Sequence, residues 1–266
     1  LSDNVKNKLY DDIAHPIAVQ TGKSLEIIGL LVNKFFSPLR NYAVSGKENT
    51  DKLENEIIDK LKDKDVNNII APPTHVAVPA LLANSYTDAE ALRSLYASLI
   101  AKSMVKQTSS DVHPAFIEII KQLSPREALF LKAHPILKSP TPFVSIRIQK
   151  KSEYFNQMNF ILHPKNILRN FQEGLDYLPF YFGDDYNNSP EEISIMIDNF
   201  IRLRVLDFVP NTVLVDRNAY SKFYKDDYTN HFEKFIKDKE SHEVVHIPGL
   251  LKPTLFGTLF SSICID

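Results

Sequence analysis

Residues 71–135 read APPTHVAVPALLANSYTDAEALRSLYASLIAKSMVKQTSSDVHPAFIEIIKQLSPREALFLKAHP. Their punctuation decides the fold class. Thr87-Asp88-Ala89-Glu90 has the capping-box pattern, in which a threonine and a glutamate three residues on each satisfy an orphan backbone N–H. It predicts a helix opening at Thr87, with Leu92, Leu95, Tyr96, Leu99 and Ile100 recurring at three- and four-residue steps along one face. A second helix is predicted from Val112-His113-Pro114, because proline at a first helical position gives up an N–H that has no partner anyway. Its apolar stripe is Phe116, Ile119, Ile120 and Leu123. A third begins at Ser124-Pro125-Arg126-Glu127, another capping box, with Leu129, Phe130 and Ala133 facing inward and Pro135 as the stop. Ahead of these helices, Pro72, Pro73 and Pro79 predict an extended crossing.

Toward the N-terminus, residues 2–42 read as one or two helices with a broad stripe of Ile17, Leu25, Ile28, Leu31, Val32, Phe35, Phe36 and Leu39. Lys23, Glu26 and Lys34 make the opposite face mixed in sign, unlike the basic face of a membrane binder. A linker near 44–49 leads to a helix capped by Asn49 or Thr50, with Leu53, Ile57 and Leu61 at four-residue steps. Lys60, Lys62, Asp63, Lys64 and Asp65 read as its solvated end.

Downstream of Pro135 the texture changes. Residues 142–148 alternate as a strand, although Phe143 is out of phase with the polar Ser145 and Arg147. An aromatic-rich insertion follows, with a short helix at 166–173. Ser189-Pro190-Glu191-Glu192 is a third capping box, opening a helix with Ile193, Met196, Ile197, Phe200 and Leu203 inward. Then come a strand at 208–215, its start confined by Pro210 to an edge or bulge, a helix at 217–239, a short strand at 244–247, a turn at Pro248-Gly249 and a closing helix at 255–265. The chain therefore reads as mainly α. An α-helical domain at 1–110 is followed by a winged-helix-like domain at 111–266 with a few short strands, its recognition helix around Asn199. One continuous core is the alternative.

The 266 residues suffice for one large or two modest domains. A net charge of −2 gives no global attraction to nucleic acid or anionic lipid, so any such contact needs a local patch. The single cysteine, Cys264, forms no intrachain disulfide and sits in an apolar run, where a thiol packs as a small hydrophobe. That usage points to a reducing cytoplasm. The longest apolar run, 27–36, is broken by Asn33 and Lys34 and falls short of the roughly 20 residues a bilayer span requires, so stable membrane insertion is not expected.

Ser241-His242-Glu243-Val244-Val245-His246 contains H-E-x-x-H, a zinc-protease pattern. That chemistry needs a helix, so that two histidines one turn apart meet one ion. Here two valines separate the histidines and Pro248-Gly249 follows, so the segment reads as a strand or turn. Residues four apart in a strand lie about 13 Å from each other, too far to share a metal. His15, His113, His134 and His163 each precede a proline, marking segment ends where an imidazole caps the backbone. No G-x-x-x-x-G-K, G-x-G-x-x-G or G-x-S-x-G pattern occurs, so neither those phosphate loops nor a nucleophile elbow is available. The acidic pairs Asp11-Asp12, Asp184-Asp185 and Asp226-Asp227 are sequence neighbours and point different ways. Catalytic, cofactor and metal residues are accordingly none. Arg202 and Arg204 on the candidate recognition helix, with Arg147 and Lys151 near the first strand, are the candidate surface for nucleic acid or a partner, set against Glu191, Glu192, Asp198 and Asp207.

Two phrases, YTDAEALRSLYASLIAKSM at 86–104 and VHPAFIEIIKQLSPREALFL at 112–131, resemble the Abi-alpha (abortive infection alpha) family of bacterial proteins. DDIAHPIAVQTGKSLEIIGLLVNKFFSPL at 11–39 is similar to its leading helix. LLKPTLFGTLFSSIC at 250–264 is similar to its closing segment, and DNFIRLRVLDF at 198–208 to its helix-then-strand element, with Arg204 where a glycine is expected. The resemblance implies a role in antiviral defence. Together with the missing catalytic motifs, it predicts a non-enzymatic cytoplasmic interaction protein that binds a protein partner or its own copy. The alternatives are a winged-helix nucleic-acid-binding regulator and a toxin acting on membranes through the N-terminal amphipathic helix.

Overall fold

The computed structural model describes residues 24–38, 47–150, 175–181, 189–209, 212–224 and 242–265. The chain divides into two compact units, one of Leu1–Pro135 with Leu259–Asp266 and one of Ile136–Thr258. The helices at 115–133, expected with the C-terminal part, thus belong to the first unit.

The first unit is helical: α1 (Ser24–Phe36), α2 (Lys47–Leu61), α3 (Thr74–Ser85), α4 (Glu90–Ser103), α5 (Ala115–Lys121), α6 (Pro125–Ala133) and a closing π-turn at Ser261–Ile265. Helix α4 is its axis. It packs against α2, α3, α5, α6 and the closing turn, and Leu95 through Ala101 are all buried. Arg93, also buried, is held by Glu56 of α2 at 2.5 Å. Helix α1 buries Ile28, Leu31, Val32 and Phe36 of its predicted stripe, together with Ile27, which the stripe did not include, while Phe35 is only half-buried.

Three expectations for this unit are corrected. The segment after Pro73 is helix α3, not an extended crossing, and Pro79 lies inside it. An interior proline costs roughly 3 kcal/mol. Burial of Val76, Ala77, Ala80 and Leu81 offsets that cost. The Thr87–Glu90 capping box does not form: α4 starts at Glu90 behind Ala89, with no side-chain cap. Thr87 instead donates its hydroxyl back to Ala83 at 3.0 Å, and Asp88 accepts from the Asn49 amide at 3.1 Å. On α6 the buried residues are Glu127, Ala128, Phe130 and Leu131, whereas Leu129 and Ala133, both expected inward, are exposed. Glu127 is drawn inward because its carboxylate accepts from the Ser124 N–H at 2.6 Å, which sets the helix phase.

The second unit holds β1 (Thr141–Lys150), β2 (Leu175–Tyr181), α7 (Pro190–Arg202), β3 (Leu206–Val209), a 3₁₀ segment (Arg217–Tyr224) and β4 (His242–Pro253), and it ends within α8 (Leu255–Phe260). The strands form one antiparallel sheet in the order β2-β1-β4-β3. The sheet is more extensive than the few short strands expected. The turn predicted at Pro248-Gly249 is absent: β4 runs straight through, pairing Pro248 with Val144 and Gly249 with Phe143. The reason is a contact across the sheet. A Cβ at Gly249 would lie 2.4 Å from the Phe143 ring, so glycine leaves room for a ring that also packs edge-on to Phe208 at 5.8 Å. That cross-strand filling explains why Phe143 is buried out of phase with Ser145. On the other face Val144, Ile146, Tyr220 and Phe223 make a cluster.

Strand β3 begins at Leu206, earlier than expected, and is an edge. Of the helix expected at 217–239, the described part, 217–224, is a 3₁₀ segment. Of the aromatic insertion, residues 175–181 form β2, a strand that the sequence did not announce; the rest of it, the short helix expected at 166–173 and the three acidic pairs lie outside the described residues.

Candidate functional site

The candidate surface centres on the C-terminal end of α7. Its start is fixed by a closed capping box: Ser189 Oγ accepts from the Glu192 N–H, and the Glu192 carboxylate accepts from the Ser189 N–H. Ile193, Met196, Ile197 and Phe200 fall on one buried face, as the four-residue steps predict. Its end is a Schellman turn. The Val205 N–H reaches the Phe200 carbonyl at 3.1 Å and the Arg204 N–H reaches Ile201 at 2.9 Å. That turn needs a left-handed residue, and Arg204 supplies it with φ +60°. Glycine is the usual residue there, and 204 is the position where the sequence comparison leads one to expect it.

Thr254 fastens this turn to the last helix. Its hydroxyl donates to the Arg204 carbonyl at 2.7 Å and accepts from the Gly257 N–H at 2.7 Å, and its N–H donates to the Val205 carbonyl at 3.2 Å. The phrases 198–208 and 250–264 are therefore two halves of one hydrogen-bonded joint. No sequence periodicity links Thr254 to Arg204, and the sequence reading missed it.

Of the four candidate cations, the structure brings Arg202 and Arg204 to one helix end. Arg202 is exposed and donates from Nε and Nη2 to the Asn199 side-chain oxygen, at 3.0 and 2.6 Å. The Arg204 guanidinium lies 3.3 Å from Asp207, with both partners well exposed. Partial desolvation raises the carboxyl of Asp198 on the same helix. The backbone of Arg147 sits in β1 opposite Val245 on one side and Asp176 on the other. Lys151 lies outside the described residues.

The H-E-x-x-H motif occupies the start of β4 and is a strand, as expected. Its backbone pairs His242 with Lys150 and His246 with Ile146. His246 is buried, and burial holds its imidazole below the ordinary range. Among the described residues no group of three His, Cys, Asp or Glu side chains is placed to hold a metal. His113 caps α5 as its sequence position implies, its Nδ1 accepting from the Ala115 N–H at 3.1 Å. Burial raises the Cys264 thiol well above its usual value, leaving it inert as a nucleophile. The Tyr220 hydroxyl donates to the Gly249 carbonyl at 3.0 Å and accepts from the Leu214 N–H at 3.1 Å, a brace that the sequence did not reveal.

The class of protein defined by these features is a helical unit and an antiparallel-sheet unit whose polar side chains cap, pin and brace the elements. The model of the abortive infection alpha family matches residues 45–264, and the chain belongs to that family. Membership points to an abortive-infection-type function. No curated protein and no solved structure matches the chain. Among the described residues no helix is long and apolar enough to cross a membrane.

Proposed function

We propose that this chain is a non-enzymatic, cytoplasmic interaction protein of abortive-infection-type antiviral defence, acting by contact with a protein partner or with its own copy. The observation that carries this reading is how the polar side chains are engaged. Ser124, Ser189, His113 and Thr254 close helix ends, Tyr220 braces a strand, and Arg202 is held by Asn199. Large apolar side chains on the second unit face outward instead: Ile195 is 68%, Leu255 93% and Val215 fully exposed. Apolar side chains turned to solvent are surface that contact with another protein can cover.

The test is expression of the full chain in a bacterial host challenged with phage, scoring plaques and host survival. Ile195→Asp with Leu255→Asp should abolish protection while leaving the melting temperature unchanged. A hydrolytic or transfer activity of the purified chain, lost on one polar substitution that keeps the fold, would overturn the reading.

The exposed Arg202 and Arg204 support a second reading, a nucleic-acid-binding regulator. Duplex DNA or RNA retarded at low salt by the chain, but not by Arg202→Ala/Arg204→Ala, would favour it. No retardation at low salt would remove it.

A further inference from the structure

The exposed residues of α7 are Glu191, Ile195, Asp198 and Arg202. They follow one another at steps of four, three and four, which at 3.6 residues per turn confines them to a strip about 60° wide. That spacing is the seam by which one helix packs along another. The helix is already anchored by the buried Ile193, Met196, Ile197 and Phe200, so its own unit makes no use of the outer strip. Ile195 nonetheless turns 68% of its surface to solvent there. Asn199 accepts from Arg202 Nε and Nη2 at 3.0 and 2.6 Å, which places the guanidinium at the C-terminal end of the strip.

Along the helix the strip runs acid, aliphatic, acid, base, and this order complements itself when it is reversed. Laid end for end against a second copy, Glu191 meets Arg202 of the second copy, and the two-fold axis repeats that pair at the other end. The two Ile195 side chains then lie within about 5 Å of each other along the axis, at a rise of 1.5 Å per residue. The helix dipoles also run opposite ways. A parallel copy would set Glu191 against Glu191 and Arg202 against Arg202. A nucleic-acid strand would meet two carboxylates for one guanidinium.

We propose that the outer strip of α7 is a self-association surface, on which a second copy of this chain packs its own α7 antiparallel. This rests on reading the outward apolar side chains of the second unit as a contact surface, and it names the occupant. A helix face about 20 Å long and 10 Å wide is far smaller than the roughly 800 Å² per partner of a standard interface, so the pairing is weak and depends on concentration. Asp198 works against it, because the two copies of this carboxylate also face each other near the axis.

Sedimentation equilibrium of the full chain over a range of concentrations tests this. The average mass of wild type should rise from one chain toward two. Ile195→Asp should hold it at one. Glu191→Arg and Arg202→Glu should each weaken association by about tenfold or more, since the two-fold axis doubles every change in an exposed pair. The double variant Glu191→Arg/Arg202→Glu should recover association, and so should an equimolar mixture of the two single variants. Asp198→Asn should tighten it. An acid in the first turn and a base in the last also offset the helix dipole. If that were their whole role, no variant would change the mass and the mixture would behave as the sum of its parts, which would overturn the proposal. Weakening in the single variants without recovery in the mixture would overturn the antiparallel pairing. Wild type that stays a monomer at every concentration, while Ile195→Asp still loses protection against phage, would overturn the second copy as occupant and leave the contact surface to a different protein.

Discussion

The carbonyl of Val205 fills the space that a side chain on Gly257 would need. A Cβ at Gly257 would meet the Val205 oxygen at 1.9 Å and its carbonyl carbon at 2.7 Å, and both atoms are backbone with no rotamer to escape into. The contact exists because Thr254 draws the turn after α7 onto the first turn of α8 through three hydrogen bonds. Gly257→Ala must therefore push that joint apart. Overpacking of this kind costs about 1–3 kcal/mol, and Thr254→Ala, which removes the cap without a clash, about 1 kcal/mol. Chemical denaturation of both variants checks this ranking; an alanine at 257 that leaves the midpoint unchanged contradicts the close approach.

Arg204 makes the opposite prediction. Its φ of +60° places a Cβ in the left-handed region, at a cost of about 1 kcal/mol or more relative to glycine. The Arg204–Asp207 pair, 3.3 Å apart and exposed, returns at most a few tenths of that. Arg204→Gly should thus raise stability by about 1 kcal/mol, seen as a melting temperature about 2–4 °C higher in a chain of this size. A fall would mean that the guanidinium is worth more to the fold than its geometry implies.

Much of this architecture was legible because it rests on local rules. Four-residue steps located α1, α2, α5 and α7, and serine followed by proline and glutamate located the starts of α6 and α7. What was not legible depends on partners distant in sequence. Pro73 and Pro79 read as breakers, yet burial of α3 against its neighbours outweighs the local penalty. Pro248-Gly249 reads as a turn, yet Phe143, more than a hundred residues earlier, lies over the glycine and keeps the strand straight. In the candidate surface, sequence supplied Arg202 and Arg204 but not the Asn199 and Asp207 contacts that engage them.

Tyr220 tests the brace between the 3₁₀ segment and β4. Its hydroxyl serves the Leu214 N–H and the Gly249 carbonyl while the ring packs with Val144, Ile146 and Phe223. Tyr220→Phe keeps the ring and removes both bonds, leaving backbone groups without that partner. The expected loss is about 1–3 kcal/mol, larger than for an ordinary surface tyrosine. Hydrogen exchange at the Leu214 amide should accelerate in parallel; unchanged exchange would show that the bond contributes nothing.

His246 sets an acid sensitivity. Burial lowers its imidazole below the unfolded value near 6.5, and the shift at His134 has the same cause and direction. Between the folded and unfolded values the unfolded chain binds more protons, so stability rises with pH through that window. On acidification the loss begins near pH 6.5 and is complete below the folded value. Stability plotted from pH 7 to pH 5 should therefore fall less steeply in His246→Gln than in wild type, whatever the baseline cost of the substitution. Parallel slopes would place the titration elsewhere.

Three capping-box patterns stand in the sequence, and two close in the structure, which makes the caps a direct test of local against tertiary control. At Ser124 the Glu127 carboxylate reaches back to the N-cap N–H at 2.6 Å and is itself buried. At Ser189 the same pair closes at 3.2 and 3.3 Å on an exposed surface. At Thr87 the hydroxyl is turned to Ala83 and Glu90 lies exposed at the head of α4. Ser124→Ala and Ser189→Ala should each cost about 1 kcal/mol, and Glu127→Ala more, because it also empties a buried site. Glu90→Ala should fall within about 0.5 kcal/mol of wild type, as a surface substitution does. If Glu90→Ala proved as costly as Glu127→Ala, the Thr87 box would be closed in solution. The connection between α3 and α4, where Asp88 holds Asn49 and Asn84 donates to the Asn49 carbonyl, would then have to be redrawn.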